Sequence, residues 1–197
     1  MKTNYIHRSL IVLIGLTLLV ACTPKYIQPS GGSTALLRLR VTESGLFAMV
    51  HTYENEACQG PLAIGLIGGS YFVNASGEKD RTIPSMLGSM GMPQSEVIEV
   101  RVPGDRNFTV LYTQMGPSNF PIARECKLPV TFFARAGEQY EINYSYESGN
   151  PGKCFASISR LFSSAAEQVQ RKPVENAFKE SVSCSPFLYS GNAGSSK

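Results

Sequence analysis

Three methionines fall close together, Met86, Met90 and Met92 in the stretch Ser85–Pro93, SMLGSMGMP. Thioether sulfur is a soft, un-ionised ligand suited to copper(I), and Met49 or His51 would complete a coordination set. The ordinary use of methionine is to fill irregular gaps beneath loops. Packing is the better reading here, because two glycines interrupt the run and no histidine lies close in sequence. Acid–base chemistry has thinner material. Beyond the first 21 residues the chain carries one histidine, His51, and two aspartates, Asp80 and Asp105. A Ser-His-Asp relay would use His51 as its base, yet His51 sits inside an alternating segment and no Gly-x-Ser-x-Gly elbow occurs. Thirteen glutamates supply carboxylates, but glycoside hydrolysis needs a pair at a set separation. Glu54 and Glu56, flanking Asn55, read as a solvated loop. The expectation is no catalytic residue, no resident metal and no cofactor, with copper(I) handling by Met86, Met90 and Met92 and an envelope hydrolase as the alternatives.

The elements that would position any such group begin with the export signal. Lys2, His7 and Arg8 precede the apolar run Leu10–Val20, and Leu19-Val20-Ala21-Cys22 follows. A basic start, a short apolar segment and a small residue before a cleavage point make a secretory signal. The run has 11 residues, whereas a spanning helix needs about 20. Leu-x-Ala-Cys resembles the lipobox of bacterial lipoproteins. The resemblance implies cleavage before Cys22 and lipid on its thiol and amine. It further implies that Thr23, standing where Asp would retain the chain at the inner membrane, directs it to the outer membrane, facing the periplasm.

Four further cysteines, Cys58, Cys126, Cys154 and Cys184, form an even set in an exported chain. Such a set reads as two disulfides. Spacing leaves three pairings open, and Cys126–Cys154 with Cys58–Cys184 is favoured because Cys126 and Cys154 flank one strand unit. No Cys-x-x-Cys or paired histidine spacing suggests zinc.

Loss of Lys2 and Arg8 with the signal leaves 16 basic against 15 acidic residues. That near-neutral balance lacks the basic face nucleic acid requires. An apolar content of 43% with 17% charge is that of a globular domain. The expected organisation is a signal peptide over 1–21, a lipidated flexible tether over 22–34, one folded domain over 35–189 and a frayed tail over 190–197. The tether reading rests on the Pro, Gly and Ser of TPKYIQPSGGST.

Period-two alternation dominates the folded part. In Leu37-Arg38-Leu39-Arg40-Val41 the apolar side chains point one way and the arginines the other. Leu46–Tyr53 reads as the partner in a hairpin. Val97–Val102 alternates with Glu99 and Arg101 outward, Pro103-Gly104-Asp105 turns, and Phe108–Tyr112 returns. Val130–Phe133, Tyr140–Tyr146 and Cys154–Leu161 read as a three-strand meander, with Tyr140, Ile142, Tyr144 and Tyr146 on one face that serves either as core or as interface. Pro61–Val73 is apolar and Gly-rich, which predicts a buried strand with a bulge or close backbone approach. Ala165, Ala166, Val169 and Val174 suggest a short helix limited by Pro173.

Many short strands with little helix predict an antiparallel β-sandwich, immunoglobulin-like or transthyretin-like. The order Cys126, Gly137-Glu138-Gln139-Tyr140-Glu141, Cys154 resembles small proteobacterial envelope lipoproteins, which implies a sandwich held by disulfide. The expected function is a lipid-anchored, non-catalytic binding or scaffolding module. Its expected partners are the membrane, through the lipid, and an envelope protein or polymer.

Overall fold

The computed structural model describes residues 24–42, 47–54, 58–68, 83, 85–89, 92, 97–114, 127–147, 153–164 and 168–175. These residues are all β, with no helix among them. Nine strands form: β1 (Thr34–Val41), β2 (Phe47–Tyr53), β3 (Pro61–Gly68), β4 (Val97–Pro103), β5 (Arg106–Gln114), β6 (Lys127–Ala134), β7 (Gln139–Glu147), β8 (Lys153–Ser163) and β9 (Val169–Pro173). One sheet has the order β4-β1-β7-β8-β9 and the other β3-β2-β5-β6. They pack face to face as a β-sandwich, as the alternation predicts. Every pairing between these nine strands is antiparallel except β1 with β7, which is parallel.

Alternation works because successive side chains point to opposite faces of a strand. Leu37 and Leu39 of β1, Ile98, Val100 and Val102 of β4, and Tyr140, Ile142 and Tyr144 of β7 fill the core from one side. Ala48 and Val50 of β2, Phe108, Val110 and Tyr112 of β5, and Val130 and Phe132 of β6 fill it from the other. The Tyr112 and Tyr144 rings stack across the core at 5.0 Å and 3°. The tyrosine face of β7 is therefore core, with Tyr146 partly buried against it. Burial, and then the neighbouring Tyr144, push the Tyr112 hydroxyl far above its ordinary pKa.

Several connections differ from the sequence reading. β1 and β2 belong to different sheets, as do β4 and β5, and β6 and β7. The first two pairs are not hairpins and the last unit is not a meander. The reason is geometric: two amphipathic strands bury their apolar faces equally well side by side or facing each other, and alternation alone does not distinguish these. The turn at Gly104 is such a corner. A Cβ there would stand 2.8 Å from the Ala136 Cα, so backbone passes over backbone. Asp105, at φ 58°, accepts from Ser33 Oγ and, at 3.1 Å, from the Ala136 amide. Those hydrogen bonds, Ser33 first, hold its carboxyl below the usual range.

Of the Gly-rich stretch Pro61–Val73, residues 69–73 lie outside the described residues, and residues 61–68 form the half-buried edge strand β3, with the expected bulge. Its register with β2 shifts between Val50 and His51, leaving Ile64 as the extra residue. A Cβ on Gly65 would lie 2.9 Å from Ile98 Cδ1, so β3 and β4 approach closely across the sandwich. The short helix is not formed: Val169–Pro173 is the edge strand β9, and Ala165 and Ala166 lie outside the described residues. The edge is polar and ends in proline, which discourages pairing with another chain.

The described part of the tether is pinned. Tyr26 N donates to Ala63 O and Ala63 N donates to Pro24 O, both at 2.8 Å. The Tyr26 hydroxyl donates to Arg101 O at 2.9 Å, and Arg101 N donates to Gln28 Oε1 at 2.7 Å. Tyr26 also sets its ring edge-on against Phe108 at 6.1 Å. An aromatic body with a polar tip suits such a clamp. Residues 24–28 thereby stitch β3 of one sheet to β4 of the other. Burial, only partly offset by Arg106, raises the Tyr26 hydroxyl to about 12.

Candidate functional site

The densest polar constellation lies on the outer face of the five-stranded sheet. Arg38 of β1 stands directly opposite Glu99 of β4 and Glu141 of β7. Because Leu37 and Leu39 face the core, these three side chains point away from it. They are nevertheless buried, with Arg38 and Glu141 at 0% exposure. Arg38 Nε donates to Glu99 at 2.6 Å and Nη1 to Glu141 at 3.2 Å. Its Nη2 donates to Leu87 O at 2.6 Å. Arg171 of β9 reaches Glu141 with Nε at 2.7 Å.

A strap at residues 83 and 85–89 covers this face. The Ile83 amide donates to Glu99, and the Ser89 hydroxyl lies 2.9 Å from both Glu99 oxygens. Leu87 N donates to Gln139 Oε1 at 2.7 Å. Ile83 and Met86 pack with Leu161 against Leu36, Leu87 and Val169 in a small satellite core. The cluster is thus a clasp. Buried charge is costly unless paired and hydrogen-bonded, and here each charged group is held by several partners whose combined geometry seats the strap.

Glu141 illustrates the balance. Burial acts to raise its pKa, but the hydrogen bond and charge of Arg171, followed by Arg38 and Arg40, outweigh it and hold the carboxyl below its ordinary 4.5. A depressed carboxyl contributes stability that is present above its unfolded pKa and lost as pH falls through the folded value. Urea midpoints of the wild type are expected to fall on acidification below about pH 4.5, and those of Glu141→Gln to fall less steeply. Equal steepness in both would contradict a stabilising role for the ionised Glu141.

The residues singled out from sequence are dispersed. Met86 is buried, at 3% exposure, in the satellite core; this is the adaptable packing use of methionine. Met92 is half-buried, and its amide donates to Ser89 O at 3.5 Å. Met90 lies outside the described residues, so the proposed copper set is not described as a whole. Among the described residues no group of three or more His, Cys, Asp or Glu side chains could hold a metal ion. His51 is half-buried, opposite Leu111 of β5, and burial lowers its pKa. Asp105 lies beyond Arg106, the first residue of β5, roughly 20 Å along the strand from Leu111. Asp80 and Glu56 lie outside the described residues, and Glu54 is exposed in the turn after β2.

Cys22, Cys126 and Cys184 also lie outside the described residues, so neither expected pairing is described. Cys58 packs beside Tyr53 and Leu111 on the outer face of the four-stranded sheet. Cys154 lies against the main core, where the Tyr144 hydroxyl donates to its Sγ at 3.2 Å. No two described cysteines stand at disulfide distance.

The alternation placed Arg38 and Glu99 on the outward face but gave no sign that this face is covered. One signal was available: β1, β4 and β7 each carry a charge on the face away from their apolar residues, with the central one opposite in sign to its neighbours. Such a row invites cross-strand pairing. The strap that buries it has no periodicity to announce it. No family model, curated protein or solved structure matches this chain.

Proposed function

We propose that this chain is a lipid-anchored, non-catalytic binding or scaffolding module of the cell envelope, facing the periplasm from the outer membrane. The observation that carries the reading is Leu19-Val20-Ala21-Cys22 behind a basic and apolar leader, two residues before Pro24, whose carbonyl accepts from the Ala63 amide. Its partners are the bilayer, through the lipid on Cys22, and another envelope protein or polymer. Two disulfides, Cys126–Cys154 and Cys58–Cys184, belong to the same proposal. It is supported by Cys58 and Cys154, neither of which is a free thiol. Peptide mapping without reductant reads the pairs directly, and a Cys126–Cys184 link would refute them.

The non-catalytic part rests on the distance along β5 between His51 and Asp105 and on the buried clasp, whose charges are spent on one another. A general base working near neutrality is most often histidine, and His51 is the one this chain has beyond its leader. Purified domain is expected to show no turnover of ester, peptide or muropeptide substrates. His51→Ala is expected to leave the envelope phenotype intact. Turnover that is lost in a folded His51→Ala variant would overturn the reading and make this an envelope hydrolase.

A further inference from the structure

Cys22 is two residues from Pro24, whose carbonyl is fixed to the Ala63 amide. Two residues reach at most about 7 Å. The polar headgroup layer on each side of a bilayer is roughly 5–8 Å deep. A lipid on Cys22 therefore cannot hold this sandwich away from the membrane, and the edge formed by β3, β4 and residues 24–28 must meet the headgroups. That edge is built for contact. Ile27 is 86% exposed, the most exposed large apolar side chain among the described residues, although both of its neighbours, Tyr26 and Gln28, are clamped. The clamp fixes the backbone on both sides of this one apolar side chain and holds it toward solvent. Arg101 and Arg106 are exposed beside the Tyr26 clamp: Arg101 gives its backbone to it, and Arg106 lies close enough for its charge to act on the Tyr26 hydroxyl. Cations at that depth complement anionic lipid headgroups.

We infer that the β3–β4 edge is a membrane-contacting surface, with Ile27 entering the interface of an anionic bilayer and Arg101 and Arg106 facing its headgroups. This rests on lipidation of Cys22. It goes further in fixing the orientation of the domain: a short, rigid mount in place of a flexible tether.

The chain has nine tyrosines but no tryptophan, so Ile27→Trp introduces a single indole, excited selectively at the red edge, at an exposed position. The full lipidated protein, purified from membranes, is reconstituted into vesicles of phosphatidylethanolamine and phosphatidylglycerol, with and without brominated acyl chains. Its mass is read from the same sample. In lipidated Ile27→Trp protein, emission is expected to shift to shorter wavelength on reconstitution and to lose most of its intensity with brominated lipid. Phe162→Trp, on β8 toward the opposite edge of the five-stranded sheet, is expected to show neither change. Lipidated Ile27→Trp protein whose emission stays that of water-exposed indole would overturn the orientation while leaving the anchor standing. A mass without lipid would overturn the anchor and the orientation with it.

Discussion

Arg38→Ala is expected to lower the unfolding free energy by about 3–5 kcal/mol, the usual cost of removing one partner from a buried ion pair. For a chain of this length that corresponds to a fall of roughly 6–20 °C in melting temperature. The size follows from what is left behind. Glu99 and Glu141 are both buried around Arg38, and Ala in its place leaves the Glu99 carboxylate with only the Ile83 amide and Ser89 hydroxyl among its described partners. The strap also loses the bond from Arg38 to Leu87 O. Protection of the amides at Ile83, Leu87 and Ser89 from hydrogen exchange is therefore expected to fall further than that of the core strands. Replacing Arg38, Glu99 and Glu141 together by leucine or methionine is expected to cost less than Arg38→Ala alone, because the charges that lose a partner, Arg171 and Arg40, reach solvent and no fully buried charge is stranded. Urea denaturation of the two variants checks this; a loss under about 1 kcal/mol for Arg38→Ala would place the cluster with ordinary surface pairs.

Cys22→Ser is expected to move the protein wholly from the membrane to the soluble fraction, or to leave it as an unprocessed precursor. Each buried methylene of a lipid chain contributes about 0.8 kcal/mol, and one chain alone holds only marginally. The three chains implied by the lipobox resemblance would make attachment effectively permanent. The described surface presents few large apolar side chains. Its exposed large apolar side chains are Ile27, Phe133, Phe155 and Phe162, and no helix among the described residues is long and apolar enough to cross a membrane. On the proposed reading Ile27 would orient a chain that the lipid on Cys22 holds; one exposed side chain would not anchor it. A Cys22→Ser protein that still sediments with membranes and still incorporates labelled fatty acid would remove the anchor.

Strand positions were legible because period-two patterning is a local property. Leu37-Arg38-Leu39-Arg40-Val41 announces β1 and its inner face without reference to the rest of the chain. Which strand lies beside β1 was not legible. Its neighbours are β4 and β7, far away in sequence, and both present the same apolar alternation that β2 does. The parallel pairing with β7 has no local signature at all.

Burial of Arg38 was hidden for a related reason. An outward face reads as solvated unless something covers it, and the cover comes from an aperiodic segment in which Ile83, Met86 and Leu87 are the apolar contacts. The methionine run drew attention to that segment for its sulfur chemistry, whereas Met86 serves there as packing. The N-terminal clamp was missed because Pro, Gly and Ser in TPKYIQPSGGST spell flexibility, and Tyr26, set among them, carries the contacts.

The anchor on which function and orientation both depend is tested most directly by the intact mass of the mature protein extracted from membranes. The predicted result is a chain beginning at Cys22, heavier than residues 22–197 by a thioether-linked diacylglycerol and an amide-linked acyl chain. A mature chain that starts elsewhere, or carries an unmodified Cys22, would contradict it.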